Sequence, residues 1–367
     1  MADTALHVAL DGTPLLGVRT GIGRYVEHLV AELARMPDDV VVRVAAFSLR
    51  GRRALSSLPA GVRVAHRPVP ARLLHRAWTR GDLPPAEWFT GRADVIHGTN
   101  FVLPPPRRST GVVTVHDLTF LRYPELVDAA SLAYRELVPR AVRAAERVLT
   151  PTRAVAEEVV DAYRLPAERV CATPLGVDPS WFDAAPRRPP GIPAAYVLAV
   201  GTLQPRKGLD VLLAAYRTLI AEDADVPPLV LVGPPGWGAG LDPTGLPPNR
   251  LVLPGYVDAS ALRGLVAGAD VLAFPTRYEG FGLPPLEALA AGTAVVASDV
   301  PAVREVLGGH ARLVPPGDPD ALAATLARVL AEPPDAGAVE AARQHARSFT
   351  WRRCADLTAA AYRLAVA

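Results

Sequence analysis

DVLAFPTRYEGFGLPPLEALAAGTAVVASD, residues 270–299, holds three patterns in succession. DVLAFP (270–275) is a short, nearly all-apolar run of the kind that forms a parallel strand covered on both faces. In the segment that follows, Glu279, Gly280, Phe281 and Gly282 read as a loop. Pro284 and Pro285 then stand where a missing N–H costs least, in the first turn of a helix, and Gly292 ends that helix before the strand TAVVASD (293–299). The stretch is a complete βαβ unit. It predicts a parallel sheet, whose ligand sites lie beyond the carboxyl ends of its strands.

The same alternation runs along the rest of the chain. LHVAL (6–10), VVVRVAAF (40–47), DVIHGT (94–99) and GVVTVHD (111–117) read as strands in the first half, and YVLAVG (196–201), PLVLVG (228–233) and RLVLPGY (250–256) in the second. Amphipathic stretches such as RYVEHLVAELARM (24–36) and LDVLLAAYRTLIAE (209–222) lie between them. With 367 residues the chain exceeds the usual size of one core, so the pattern predicts two doubly wound α/β domains. The proline-rich APRRPPGIP (185–193) marks the boundary. The expected division is residues 1–185, a hinge at 186–193, a second domain at 194–347, and a last helix in 348–367 that packs back on the first domain.

Composition excludes several classes of function. A formal charge of +2 leaves no cationic excess for gripping nucleic acid. No run approaches 18 uninterrupted apolar residues, and MADTALHVALDGT lacks the basic-then-apolar order of a secretory leader, which together predict a cytoplasmic protein. Cys171 and Cys354 are too few for a disulfide framework.

Of the 39 basic side chains counted as Lys plus Arg, one is lysine, Lys207 in GTLQPRKGLDV. It follows the predicted strand 196–201 and precedes a helix, where free N–H groups and the helix dipole favour anions. Arg206 and Lys207 there suit a diphosphate. Lysine brings a compact charge on a flexible stem and arginine a rigid fork, so the pair is not interchangeable. Glu279, in the loop, and Glu287, one turn into the helix, repel a diphosphate and are better used as acceptors from sugar or ribose hydroxyls.

The pattern E-x7-E from Glu279 to Glu287, with GTLQPRKG upstream and TGIGRY and VTVHDLTFLRYPE earlier, resembles the retaining GT-B glycosyltransferases of glycosyltransferase family 4. The resemblance implies two Rossmann-like domains facing each other across a cleft. It further implies that Arg206 and Lys207 contact the donor diphosphate, Glu287 the ribose, and Glu279 and His116 the transferred sugar. Backbone groups of Phe281, Gly282 and Leu283 are implied near the phosphates, Val257 at the base, and Gly21 and Gly23 in a loop close to the diphosphate or acceptor. Thr202 departs from the family pattern, since many members carry arginine directly after the glycine that opens the phosphate loop; either Arg206 supplies that charge or the diphosphate is held less firmly than usual.

The rival readings are a dinucleotide-dependent oxidoreductase, a nucleotide-sugar epimerase of the same fold, and a silent sugar-nucleotide binder. TGIGRYV fails as a dinucleotide fingerprint, because Val26 stands where glycine or alanine is required. D-x-D occurs at Asp223–Asp225 and Asp318–Asp320, each at a helix end, and no metal or other cofactor is expected. The implied reaction is hexosyl transfer with retention from a nucleoside diphosphate sugar to a hydroxyl acceptor, GDP-mannose being favoured among donors. RLLHRAWTRGDLPPAEWF (72–89) reads as a half-buried surface helix, with contact to a lipid-linked acceptor as its alternative, and peripheral membrane contact of the protein stays open.

Overall fold

The computed structural model describes residues 5–17, 21–49, 55, 58–65, 67–238 and 240–367. They form two compact units. The first takes in the described residues up to Arg122, with Ala129–Gly176 and Thr350–Ala367; the second takes in Tyr123–Asp128 and Val177–Phe349.

The first unit is built on a parallel sheet of seven strands: β1 (Leu6–Asp11), β2 (Val40–Ala45), β3 (Arg63–Ala65), β4 (Val95–Gly98), β5 (Thr110–Thr114), β6 (Arg147–Thr150) and β7 (Val170–Ala172). Their order is β3-β2-β1-β4-β5-β6-β7. The second unit holds β8 (Val197–Val200), β9 (Leu229–Val232), β10 (Leu251–Gly255), β11 (Val271–Phe274), β12 (Val295–Ser298) and β13 (Arg312–Val314), ordered β10-β9-β8-β11-β12-β13. Both are doubly wound. Every residue of β9, β11 and β12 is buried, as parallel strands with helices on both faces require. On one side of this sheet Leu212, Tyr216 and Leu219 of the helix Leu209–Glu222 pack with Leu322 and Leu326 of the helix Pro319–Ala331. Truncating one such leucine to alanine typically costs about 2–5 kcal/mol.

The structure differs from the sequence-based expectation at the domain boundary. Residues 177–185 belong to the second unit: Val177 donates its N–H to Phe349 O (3.0 Å), Trp181 is buried, and Phe182 O accepts from Arg343 (2.6 Å). Within the proposed hinge, Arg187 donates to Gly264 O at 3.0 Å. The chain therefore passes between units at 176–177 and 349–350, and also on either side of Tyr123–Asp128. Proline and arginine content reports exposure, whereas these backbone bonds report attachment. The last helix, Trp351–Val366, lies in the first unit, with Trp351 stacked on His28 (centroids 4.5 Å) and Tyr362 Oη 2.7 Å from His97 Nδ1.

Candidate active site

In the second sheet the strand order reverses between β8 and β11, which are hydrogen-bonded neighbours. Loops leaving the carboxyl ends of two such strands diverge and leave a crevice, where doubly wound sheets hold their ligands. The loop after β8 is GTLQPRKG (201–208), and the loop after β11 is PTRYEGFG (275–282). Both carry predicted site residues.

Backbone bonds stitch the loops together. Arg206 O accepts the Arg277 N–H (2.9 Å) and the Thr276 hydroxyl (3.1 Å). The Arg277 guanidinium forks onto Asp210 at 2.8 and 2.6 Å and also donates to Pro205 O at 2.9 Å. The Arg277 side chain is therefore engaged in holding the loops. Gly208 caps the helix Leu209–Glu222 with φ +63°, and a Cβ there would lie 2.0 Å from Pro275 O. Gly208→Ala is accordingly expected to destabilise the fold by roughly 2 kcal/mol or more, read as a lower urea midpoint at unchanged m-value.

On this frame the side chains of Arg206, Lys207 and Glu279 meet. Lys207 Nζ lies 2.6 Å from Glu279 Oε2, and Arg206 Nη1 lies 3.0 Å from Oε1 and 3.0 Å from Tyr278 O. The three side chains are 13–16% exposed. Burial pushes the Glu279 carboxyl up, but the Arg206 and Lys207 charges beside it pull it down further, to about 2. Glu279 is thus an anion throughout the working pH range, already holding the two cations assigned to a diphosphate. The lysine stem passes Gly201, whose added Cβ would meet Cε at 3.5 Å, and its ammonium lies 5.0 Å from the Phe274 ring centre. A lysine ammonium gains a cation–π contact with that ring while reaching Glu279.

The helix Leu283–Ala291 starts at the same mouth, capped by Gly282 in the left-handed region (φ +95°). Its terminus offers fewer donors than a helix normally does, because Pro284 and Pro285 carry no N–H. The N–H groups of Phe281, Gly282 and Leu283 remain; among the described residues none of these three has a hydrogen-bond acceptor. Glu287 is on this helix and 2% exposed. Val257 is half-buried two residues past the end of β10, before Asp258 caps the helix Ala259–Ala267. Thr202 lies beside the neighbouring loop, its methyl 3.1 Å from where a Cβ on Gly236 would sit.

In the first unit the strand ends carry His116, Thr99 and Asp11. His116 is buried and its Nε2 lies 2.9 Å from Thr99 O, an atom that only accepts, so Nε2 carries the hydrogen. Burial holds its pKa low, leaving a neutral ring with a lone pair on Nδ1. Thr99 Oγ1 in turn donates to Asp11 O (2.6 Å), and Tyr25 and Phe101 pack edge-on against the His116 ring. The resemblance implies that Gly21 and Gly23 shape a loop; in the structure they instead open the helix Gly21–Ala34. Thr20 of the TGIGRY motif lies outside the described residues.

Sequence reasoning missed a strap. Tyr123–Asp128, from the first half of the chain, belongs to the second unit, where the Tyr123 ring lies 5.4 Å from that of Tyr278 and Leu126 O accepts from the Trp237 indole (3.3 Å). Tyr278 immediately precedes Glu279 and its carbonyl holds Arg206. In the sequence YPEL reads only as the end of the motif VTVHDLTFLRYPE, and the aromatic residues Tyr123 and Tyr278 are the one signal of the contact. Among the described residues no group of three or more His, Cys, Asp or Glu is disposed to hold a metal ion.

Residues 19–181 match the family model described as Glycosyltransferase Family 4, and residues 194–332 match that of glycosyl transferases group 1. O-antigen chain mannosyltransferase B of Escherichia coli is 31% identical over 310 residues, 80% of this chain and 79% of its own length. The chain belongs to glycosyltransferase family 4. Sucrose-phosphate synthase of Thermosynechococcus elongatus shares the fold with this glycosyltransferase, with a TM-score of 0.75 at 21% identity, over 98% of each chain. HepE of Anabaena, solved in complex with UDP-glucose, does so with a TM-score of 0.68 at 19% identity, over 97% of this chain and 98% of its own. The architecture is GT-B, and the protein is a transferase enzyme.

Proposed function

We propose that this glycosyltransferase moves a hexosyl unit, mannose, from GDP-mannose to a hydroxyl acceptor with retention at the anomeric carbon and without a divalent metal. The observation that carries this reading is the meeting of Arg206 and Lys207 on Glu279 at the switch point of the second sheet, in the loops that lead to a helix N-terminus. As the glycosidic bond breaks, its electron pair goes to the diphosphate. The two cations and the amides then stabilise the transition state more than the ground state. They supply positive charge of the kind a divalent ion would bring. The departing phosphate oxygen takes the proton of the incoming hydroxyl on the same face, which preserves configuration.

Glu279 and Glu287 accept from hydroxyls of sugar and ribose in this reading, and His116 accepts one through Nδ1. Phe281, Gly282, Leu283, Val257 and Thr202 line the donor path, and Gly21 and Gly23 bring the first turn of their helix to the diphosphate or acceptor. The mannosyl preference is supported by the E. coli relative, which is a mannosyltransferase by name. A panel of nucleotide sugars scored by thermal shift tests the donor, because a ligand stabilises the state it binds. GDP-mannose is expected to raise Tm most, and Glu287→Ala to abolish most of that rise. A larger rise with another nucleotide sugar would replace the donor, and no rise with any would overturn the reading.

A further inference from the structure

The strand order of the second sheet sets β8 between β9 and β11, so the loop 201–208 that carries Arg206 and Lys207 runs between the loops that follow those strands. Both neighbours grip it. From the β9 side, Pro234 O accepts the Leu203 N–H at 3.1 Å, and a Cβ on Gly236 would lie 2.1 Å from Leu203 O, so the two backbones are in direct contact. From the β11 side, Tyr278 O accepts from Arg206 at 3.0 Å and from the Thr276 hydroxyl at 3.0 Å.

Each gripping loop is itself held, and by the same strap. Trp237, next to Gly236, donates its indole N–H to Leu126 O at 3.3 Å, while Tyr278 lies against Tyr123 with ring centres 5.4 Å apart and planes inclined by 48°. Tyr123 and Leu126 are fixed relative to one another. The Leu126 N–H closes a 3-10 turn onto Tyr123 O at 2.9 Å, and Pro124 fixes φ at the first position of that turn. The strap is thus a short, stiff brace with one contact on each loop that grips the phosphate loop. Arg206 needs such a brace, because it stands on a single turn, Pro205–Lys207, at the end of a flexible stem. Side chains carried on loops are placed less precisely than those on strands or long helices unless packing locks them.

We infer that Tyr123 is a positioning residue for Arg206, a role that rests on reading Arg206 as a ligand of the donor diphosphate. The Tyr123 ring holds Tyr278, and the Tyr278 carbonyl fixes where the guanidinium points. Trp237 anchors the other end of the brace. Direct contact of Tyr123 with the ligand, the rival role, predicts a loss of binding that does not depend on Arg206.

GDP, and in parallel UDP, would be titrated calorimetrically into the full chain, and the tighter-binding of the two kept as the probe. Tyr123→Ala should weaken its affinity by about fivefold, and Tyr123→Phe should restore it, since the contact is between rings. Trp237→Phe, which deletes the indole N–H, should weaken it by about threefold. Arg206→Ala should weaken it further than either, and adding Tyr123→Ala to Arg206→Ala should then cost nothing more. Tyr123 is 36% exposed, so thermal unfolding close to that of the parent is the control for folding. Three results would overturn the inference and leave the donor reading standing: a Tyr123→Ala variant that binds like the parent beside a defective Arg206→Ala, losses that add in the double variant, or no recovery with phenylalanine. Parent-like binding by Arg206→Ala, or a parent chain that binds neither nucleotide, would bring down the donor reading and this role with it.

Discussion

Lys207→Ala is expected to lower turnover by roughly 10² to 10³ while leaving the fold nearly intact. In the proposed reaction the ammonium neutralises charge that appears as the bond to the sugar breaks, so its loss should fall on kcat more than on KM. The fold should tolerate the change because Glu279 keeps Arg206 at 3.0 Å, and the loops stay joined through Arg206 O, Thr276 and the Arg277–Asp210 fork. Lys207→Arg should restore little. The stem runs between Gly201 and the Phe274 ring, and a planar guanidinium there brings a second fork where Arg206 already supplies one. Steady-state rates with a saturating donor decide it: a rate like that of the parent would remove the lysine from the chemistry.

The strands and helices around this site were legible in the sequence because long apolar runs and Gly–Pro punctuation act locally. Leu209–Glu222 starts and ends where its amphipathic pattern does. β3, β7 and β13 escaped because three residues set no period, and β6, RVLT, because it offers only two apolar side chains in succession. The association of the two loops was less visible. Lys207 and Glu279 are 72 residues apart, and they touch because β8 and β11 are neighbours, a property of strand order and not of either motif. Like-charge repulsion sets Glu279 apart from a diphosphate in the sequence, but it does not reveal that the carboxylate pairs with both cations. The same carboxylate is the anion that makes two largely buried cations tolerable. The strap Tyr123–Asp128 was illegible for a related reason: its sequence neighbours belong to the other unit.

Glu279→Gln therefore has an expected outcome with two opposite signs. Removing the anion leaves Arg206 and Lys207 facing each other, and breaking a buried pair in this way costs about 3 kcal/mol, somewhat less here because the cations keep partial solvent access. The free protein should melt earlier. A nucleoside diphosphate without sugar should bind the variant more tightly, by roughly tenfold, since the phosphates no longer displace a resident carboxylate. Sugar transfer should nevertheless fall, because the glutamine amide is a poorer acceptor for the sugar hydroxyl. The stability difference depends on pH in a definite direction. Burial raises the folded carboxyl, the two cations lower it further to about 2, and the unfolded chain keeps an ordinary carboxylate, so the stabilisation is complete above the ordinary carboxylate pKa. It fades as pH falls toward 2, and the melting temperatures of parent and variant should converge over that window. If the variant binds nucleoside diphosphate more weakly than the parent, Glu279 does not compete for the cations, and the ion cluster is a fixed structural element.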